Sequence, residues 1–152
     1  MEIQDGFGGV EKFNFGLEKS PIIGDKKSGL GAKRRCIFHD KTSALEEIIE
    51  YEENKSFKVE LSEFSMPMKS MYAGFKVTKL TATSYKVSMF MNFEVKFDPL
   101  GALMGLVMMR PMMKGVQKKI LSGLTYHAFT GKTITSKLPP SKELPPAIAH
   151  NR

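Results

Sequence analysis

The chain has no tryptophan and a single cysteine, Cys36, among its 152 residues. One thiol excludes an internal disulfide, and His39, His127 and His150 are too scattered to form a Cys/His cluster with zinc-ligand spacing. A membrane-spanning run is missing too. The methionine-rich stretch "PLGALMGLVMMRPMMKG" is uncharged from Leu100 to Met109, but Arg110 and Pro111 close it. Crossing the hydrocarbon core takes roughly 20 apolar residues, so this stretch does not span. "MEIQDGFGGVEKF" has neither a basic n-region nor an apolar h-region, so no secretory signal is visible and a cytoplasmic location is expected. Phosphate-binding loops are excluded as well. Gly29-Leu30-Gly31 leads into a strand pattern and meets Arg34 where a dinucleotide fingerprint needs glycine, and "TGKT" at 130–133 has Tyr126 where a phosphate loop needs glycine.

A hydrophobic content of 41% and a charged content of 26% are ordinary for a globular chain of one domain. The expected division is a domain over residues 1–134 and a Pro-rich, disordered or extended tail over 135–152, where "LPP" occurs twice without an apolar period. The net charge of +7 favours anionic partners, an acidic membrane surface or nucleic acid. Nucleic acid is the weaker reading, because the charges lie in short groups and the aromatics sit beside aliphatics, not interleaved with Lys and Arg.

Period-two alternation dominates the middle of the chain. Tyr85, Val87, Met89, Met91, Phe93, Val95 and Phe97 alternate with Lys86, Ser88, Phe90, Asn92, Glu94 and Lys96, which predicts a long strand with one apolar face. Upstream, Ala73, Phe75 and Val77, then Phe57, Val59 and Leu61, then Leu45, Glu47, Ile49 and Tyr51, and finally Ala32, Arg34, Cys36 and Phe38 each mark one face of a strand. "KSPII" adds a shorter piece. The links "DKTS", "EENK" and "TATS" carry turn chemistry, so five or six antiparallel strands form a meander. After Phe97 the period changes. Asp98-Pro99 suits a helix start, and Met113, Val116, Ile120, Leu124 and Ala128 recur at helical steps opposite Lys114, Lys118, Lys119 and Ser122, predicting an amphipathic helix that ends near Gly131.

A curved antiparallel meander closed by one long helix describes an α+β helix-grip fold. Three features, Gly29-x-Gly31-x-x-Arg34, Leu45-x-Glu47 and the ending "FEVKFDPLGALMGLVMMRPMMKGVQKKILSGL", resemble the START-like superfamily of polyketide cyclases/dehydrases and lipid-transport proteins over about residues 5 to 131. Members usually open with a strand and a helix before the stretch like "DGFGGVEKF", so the resemblance implies that this chain lacks them. The family's first strand pairs with its last. The exposed edge of residues 85–97 is therefore expected to be covered by a homodimer partner, by N-terminal residues or by the tail.

The resemblance implies a cavity between sheet and helix, several hundred Å³ in size, that takes a hydrophobic guest such as a lipid or polycyclic ring system. No cofactor or metal is implied. Its expected lining is Arg34, Glu47, Tyr51, Phe75, Met89, Met91, Phe93, Met108, Met112, Val116 and Ile120. Met66, Met68 and Met71 are placed on a loop, and Met104, Met108, Met109, Met112 and Met113 at the cavity mouth. Methionine is unbranched and polarizable and adapts to irregular guests, although it fills cores equally well. If the turn centres between Asp40 and Lys41, Arg34 faces Glu47, and the pair either fixes strand register or orients a polar head group. Three functions fit. A hydrophobic-ligand carrier comes first, and a cofactor-independent cyclase or dehydratase using Glu47 and Tyr51 as acid and base second. A basic membrane-surface or nucleic-acid-binding protein comes last.

Overall fold

The computed structural model describes residues 7–64, 68–95, 103, 105–140 and 142–143. Asp98, Phe97, Met66 and Met104 lie outside the described residues, and with them the expected helix start at Asp98-Pro99. A 3-10 turn at Val10–Lys12 precedes the strands β1 (Leu17–Lys19), β2 (Ile22–Ile23), β3 (Lys33–Phe38), β4 (Ser43–Glu52), β5 (Ser56–Ser62), β6 (Met68–Lys79) and β7 (Tyr85–Val95). A π-helical turn, Gly105–Met109, then runs into helix α1, Arg110–Thr130.

All strand pairings are antiparallel, in the order β1-β3-β4-β5-β6-β7, with β2 sharing the outer edge of β3 beside β1. Pro21 falls between β1 and β2, on an edge strand where a missing N–H is tolerated. The sheet curls into a half-barrel around the C-terminal helix, giving an α+β helix-grip architecture. Gly29 and Gly31 both have positive φ, at 79° and 81°, and form the turn that feeds β3, a geometry open to glycine at no steric cost.

Cross-strand partners share a face, so the concave side reads as rows. One row is Arg34, Glu46, Leu61, Met71 and Phe93; the next is Ile48, Val59, Ala73 and Met91; a third is Tyr51, Phe57, Phe75 and Met89. The first row corrects the expected register, since Arg34 pairs with Glu46 and not with Glu47. The cause is the β3–β4 turn. Ile37 pairs with Ser43, which centres the turn on Asp40 itself, and Lys41 takes φ 69° as the left-handed residue of a three-residue hairpin loop. Asp40 Oδ1 accepts hydrogen bonds from the Thr42 N–H at 2.9 Å and the Thr42 hydroxyl at 2.6 Å. A slip of one residue moves every side chain of a strand to its other face. Ala44, Glu46 and Ile48 therefore point inward, and Leu45 and Glu47 do not. A bulge between Ile48 and Glu50 restores the parity beyond it, which returns Tyr51 to the row of Phe57.

Two of the methionines assigned to a loop are strand residues. Met68 and Met71 lie in β6, buried with Met113 of α1, and Leu61, Phe64, Met91, Phe93 and Met109 pack around them. Alternation extends β6 upstream of Met71 through a bulge between Met68 and Ser70, which breaks the period that reading from the sequence relies on.

Helix α1 grips the sheet through Met113, Ile120, Gly123, Leu124 and Tyr126, and Gly131 ends it with φ 68° and an N–H donated to the His127 carbonyl. Its closest approach is at Gly123, where an added Cβ would stand 2.1 Å from the Phe13 carbonyl oxygen and 3.0 Å from Ile134 Cδ1. Ile134 is buried there, and its N–H donates to the Lys12 carbonyl at 2.8 Å. Gly115, two turns earlier, has nothing within 4 Å. The same substitution should therefore act with opposite sign at the two sites. Gly123→Ala should lower unfolding free energy by about 2 kcal/mol through overpacking, and Gly115→Ala should raise it by roughly 0.5–1 kcal/mol through helix propensity. Urea melts of the two variants check the pair; equal effects would place α1 away from the Phe13 backbone.

Candidate functional site

The inner wall of the grip carries one charged pair. Arg34 Nε donates to Glu46 Oε2 at 2.7 Å, Nη2 closes a second contact to the same oxygen, and Nη1 donates to the Phe7 carbonyl at 2.6 Å. The guanidinium lies 4.0 Å above the centre of the Phe7 ring. The two side chains are only 7% and 13% exposed, so each charge depends on the other for the solvation it has lost. The burial follows from the sequence in two steps: β3 alternation turns Arg34 inward with Ala32 and Cys36, and the turn at Asp40 brings Glu46 opposite.

Beside the pair stands a row of rings. Phe7 meets Phe57 edge-on at 6.2 Å between centroids, Phe57 meets Phe75 at 5.6 Å, and Phe75 meets Phe13 edge-on at 6.5 Å. Between the Phe57 and Phe75 rings, Met89 and Met91 of β7, and Ile120 of α1 lies a cavity of about 50 Å³, whose wall includes Arg34 and Glu46. Lipid-sized sites run to roughly 300 Å³ and more. The expected size is not met, because the aromatic row and the methionine cluster of β6 and α1 occupy the space.

Of the residues expected from the sequence, Arg34, Phe75, Met89, Met91 and Ile120 line this cavity together. Phe93 packs in the methionine cluster instead, and Val116 is half-buried on α1. Glu47 faces outward, 40% exposed, with Lys33 at 3.1 Å. Tyr51 stands exposed at the rim of the concave face, and Met108 and Met112 are exposed on the solvent side. The lining residues that were missed include Glu46, Phe57, Leu61, Val10 and Asn14, together with Val59, Ala73 and Gly74. Phe57 and Leu61 were visible in the β5 alternation; Glu46 was hidden by the turn. His127 donates its Nδ1–H to the Lys132 carbonyl at 2.8 Å and so ties off the end of α1.

Cys36 lies next to the pair on β3, almost fully buried. Burial, reinforced by the charge of Glu46 and opposed by that of Arg34, pushes its thiol up to about 12. A nucleophile must be a thiolate, so at neutral pH Cys36 is an inert core residue. Among the described residues no group of three or more His, Cys, Asp or Glu side chains is placed to hold a metal.

Two measurements follow from this geometry. Glu46→Ala should cost on the order of 3 kcal/mol in urea unfolding, because it leaves Arg34 buried and uncompensated, whereas Glu47→Ala at the half-exposed outer pair should stay within about 0.5 kcal/mol. Equal losses would return the register to the Arg34–Glu47 alternative. Iodoacetamide at pH 8 should leave Cys36 of the folded protein unmodified and react with it fully in urea; fast labelling of the folded state would contradict the burial of the thiol.

No protein-family model matches the chain, and neither does any curated protein sequence. Among solved structures it is similar to an uncharacterised protein from Bacillus thuringiensis, with a TM-score of 0.61, 14% identity, and coverage of 84% of this chain and 86% of that one. It is also similar to the protein XoxI from Bacillus cereus, with a TM-score of 0.57, 10% identity, and coverage of 78% and 80%. Ginseng major latex-like protein 151 from Panax ginseng gives a TM-score of 0.48 at 16% identity, covering 71% and 79%. The two bacterial likenesses establish the helix-grip fold, and at such identities they establish the fold alone.

Proposed function

We propose that this chain binds a hydrophobic small molecule with a polar end, held between the concave sheet and α1. The observation that carries this reading is the Arg34–Glu46 pair, deeply buried yet standing on the wall of a mainly apolar cavity. As core filling, such a pair offers no advantage over apolar side chains of equal volume, since the cost of removing two charges from water offsets their attraction. As a recognition element it is well suited. A guanidinium has five N–H donors, and the three contacts made by Arg34 leave two for a guest oxygen.

A cavity of about 50 Å³ has room for a few waters, so a larger guest enters by displacing side chains. The ones that give way are Met89 and Met91, half-buried on β7, which pairs among the described residues with β6 alone. Methionine has three rotatable bonds and repacks at low cost. Separation of α1 from β7 then opens the path. The cyclase or dehydratase reading has lost its named carboxylate, since Glu47 lies on the outer face.

Methionine-methyl NMR tests the reading. Fatty acids and aromatic polyketide mimics, titrated below their aggregation thresholds, should shift Met89 and Met91 together. Glu46→Gln should weaken binding of a guest with a polar end by about tenfold, equivalent to ~1.4 kcal/mol. If no compound class moves those two methyls, the cavity is a packing gap and the proposal fails.

A further inference from the structure

The charge of this chain is segregated. Before Pro99 there are fifteen Lys and Arg against fifteen Asp and Glu, and from Pro99 onward there are eight against one, Glu143. The whole net charge of +7 therefore resides in the segment that contains α1. The sheet neutralises its own cations, in pairs such as Lys33–Glu47, Lys58–Glu50, Lys69–Glu94 and Arg35–Glu63. Arg110, Lys114 and Lys118 of α1 are exposed and pair with no described carboxylate.

Next to these cations stands an apolar group. Leu103, Val107, Met108 and Met112 are 62%, 65%, 66% and 52% exposed. Single exposed apolar residues are ordinary, but four of them within ten residues concentrate apolar surface where the chain leads into one helix. A rise of about 1.5 Å per residue puts Arg110 about 3 Å before Met112 along the axis, and Lys114 about 3 Å and Lys118 about 9 Å beyond it. Exposed apolar side chains interspersed with cations that have no described carboxylate partner suit the interface of an anionic bilayer, where apolar groups reach the acyl boundary and long basic side chains extend to the phosphates.

We propose that the π-helical turn and the first turns of α1 dock onto the surface of an anionic lipid bilayer, with Val107, Met108 and Met112 at the acyl boundary and Arg110, Lys114 and Lys118 among the head groups. Among the described residues no helix is long and apolar enough to cross a membrane, so the contact is peripheral. Charge selects this occupant over others. A second copy would bring a like-charged segment to the same face, and a nucleic acid would leave the exposed methionines without a partner.

The test is co-sedimentation of the full chain with vesicles of phosphatidylcholine alone and of phosphatidylcholine mixed with phosphatidylserine. The protein should pellet with the mixed vesicles and remain in the supernatant with the neutral ones. Lys114→Gln and Lys118→Gln should each weaken binding by about fivefold. Met108→Gln combined with Met112→Gln should weaken it roughly tenfold or more. All four positions are solvent-facing, so thermal melts should be unchanged. Failure to pellet with either vesicle, equal binding to both, or full binding by the methionine variant would overturn the proposal. So would light scattering that shows a dimer dissociated by the methionine changes, since a second copy would then own the patch. None of these readouts depends on whether the inner cavity takes a guest.

Discussion

Arg34 cannot be buried unless Glu46 is opposite it, and much of the structure is arranged around that pairing. The turn at Asp40 sets the register of β3 against β4 and the ion pair holds it, because parting the two leaves a guanidinium in an apolar wall at a cost of several kcal/mol. The same guanidinium reaches across to the Phe7 carbonyl and lies over the Phe7 ring, so the segment before the first strand is pinned to the concave face. Phe7 in turn starts the aromatic row through Phe57 and Phe75 to Phe13, and the Phe13 carbonyl is the surface on which Gly123 of α1 rests. Register, N-terminal plug and helix position are thus successive contacts of one chain of packing.

Only two elements carry the polarity of that interior, and they are adjacent strands. Of the three concave rows, ionised groups stand in one, at its β3–β4 end. Moving away from it along the row, the chain presents Leu61, Met71 and Phe93. A guest lying in this direction would meet charge at one end and soft apolar side chains at the other, which is the gradient an amphiphile requires.

How much of this was legible in the sequence differs from element to element. Alternation identified β5, β6, β7 and the inward face of β3 because each period runs unbroken across the residues concerned. It identified α1 and its end, since Gly131 supplies the left-handed C-cap that a helix stop requires. It failed for β4. Glu46 and Glu47 are the same residue type side by side, both compatible with an inward carboxylate, and only loop length decides between them. Lys41 in a left-handed conformation makes that loop odd-numbered, a choice a non-glycine residue does not advertise. The bulge at Ile48 and Glu50 hid the error further, since Tyr51 returns to the face on which simple alternation had placed it. The cavity's volume was not legible at all. It depends on how far Met68, Met71 and Met113 fill the grip, and composition cannot distinguish a methionine that packs from one that waits.

Apart from Met89 on the cavity wall, the described methionines resolve into two populations, one packed between sheet and helix and one in solvent. Met68, Met71, Met91, Met109 and Met113 pack into one another across β6, β7 and α1, where a flexible thioether fits an irregular space between a curled sheet and a straight helix. Met108 and Met112, on other faces of the same helix start, stand in solvent. A helix that needed only to close the grip would carry polar residues at those outer positions, as α1 does farther along at Lys114, Lys118 and Lys119. Exposed thioethers at the helix start, bordered by cations with no carboxylate partner among the described residues, cost solubility and give nothing to the core. Their placement makes physical sense where the outer surface of α1 has something of its own to meet, while its inner surface, through Met113 and Ile120, holds the sheet.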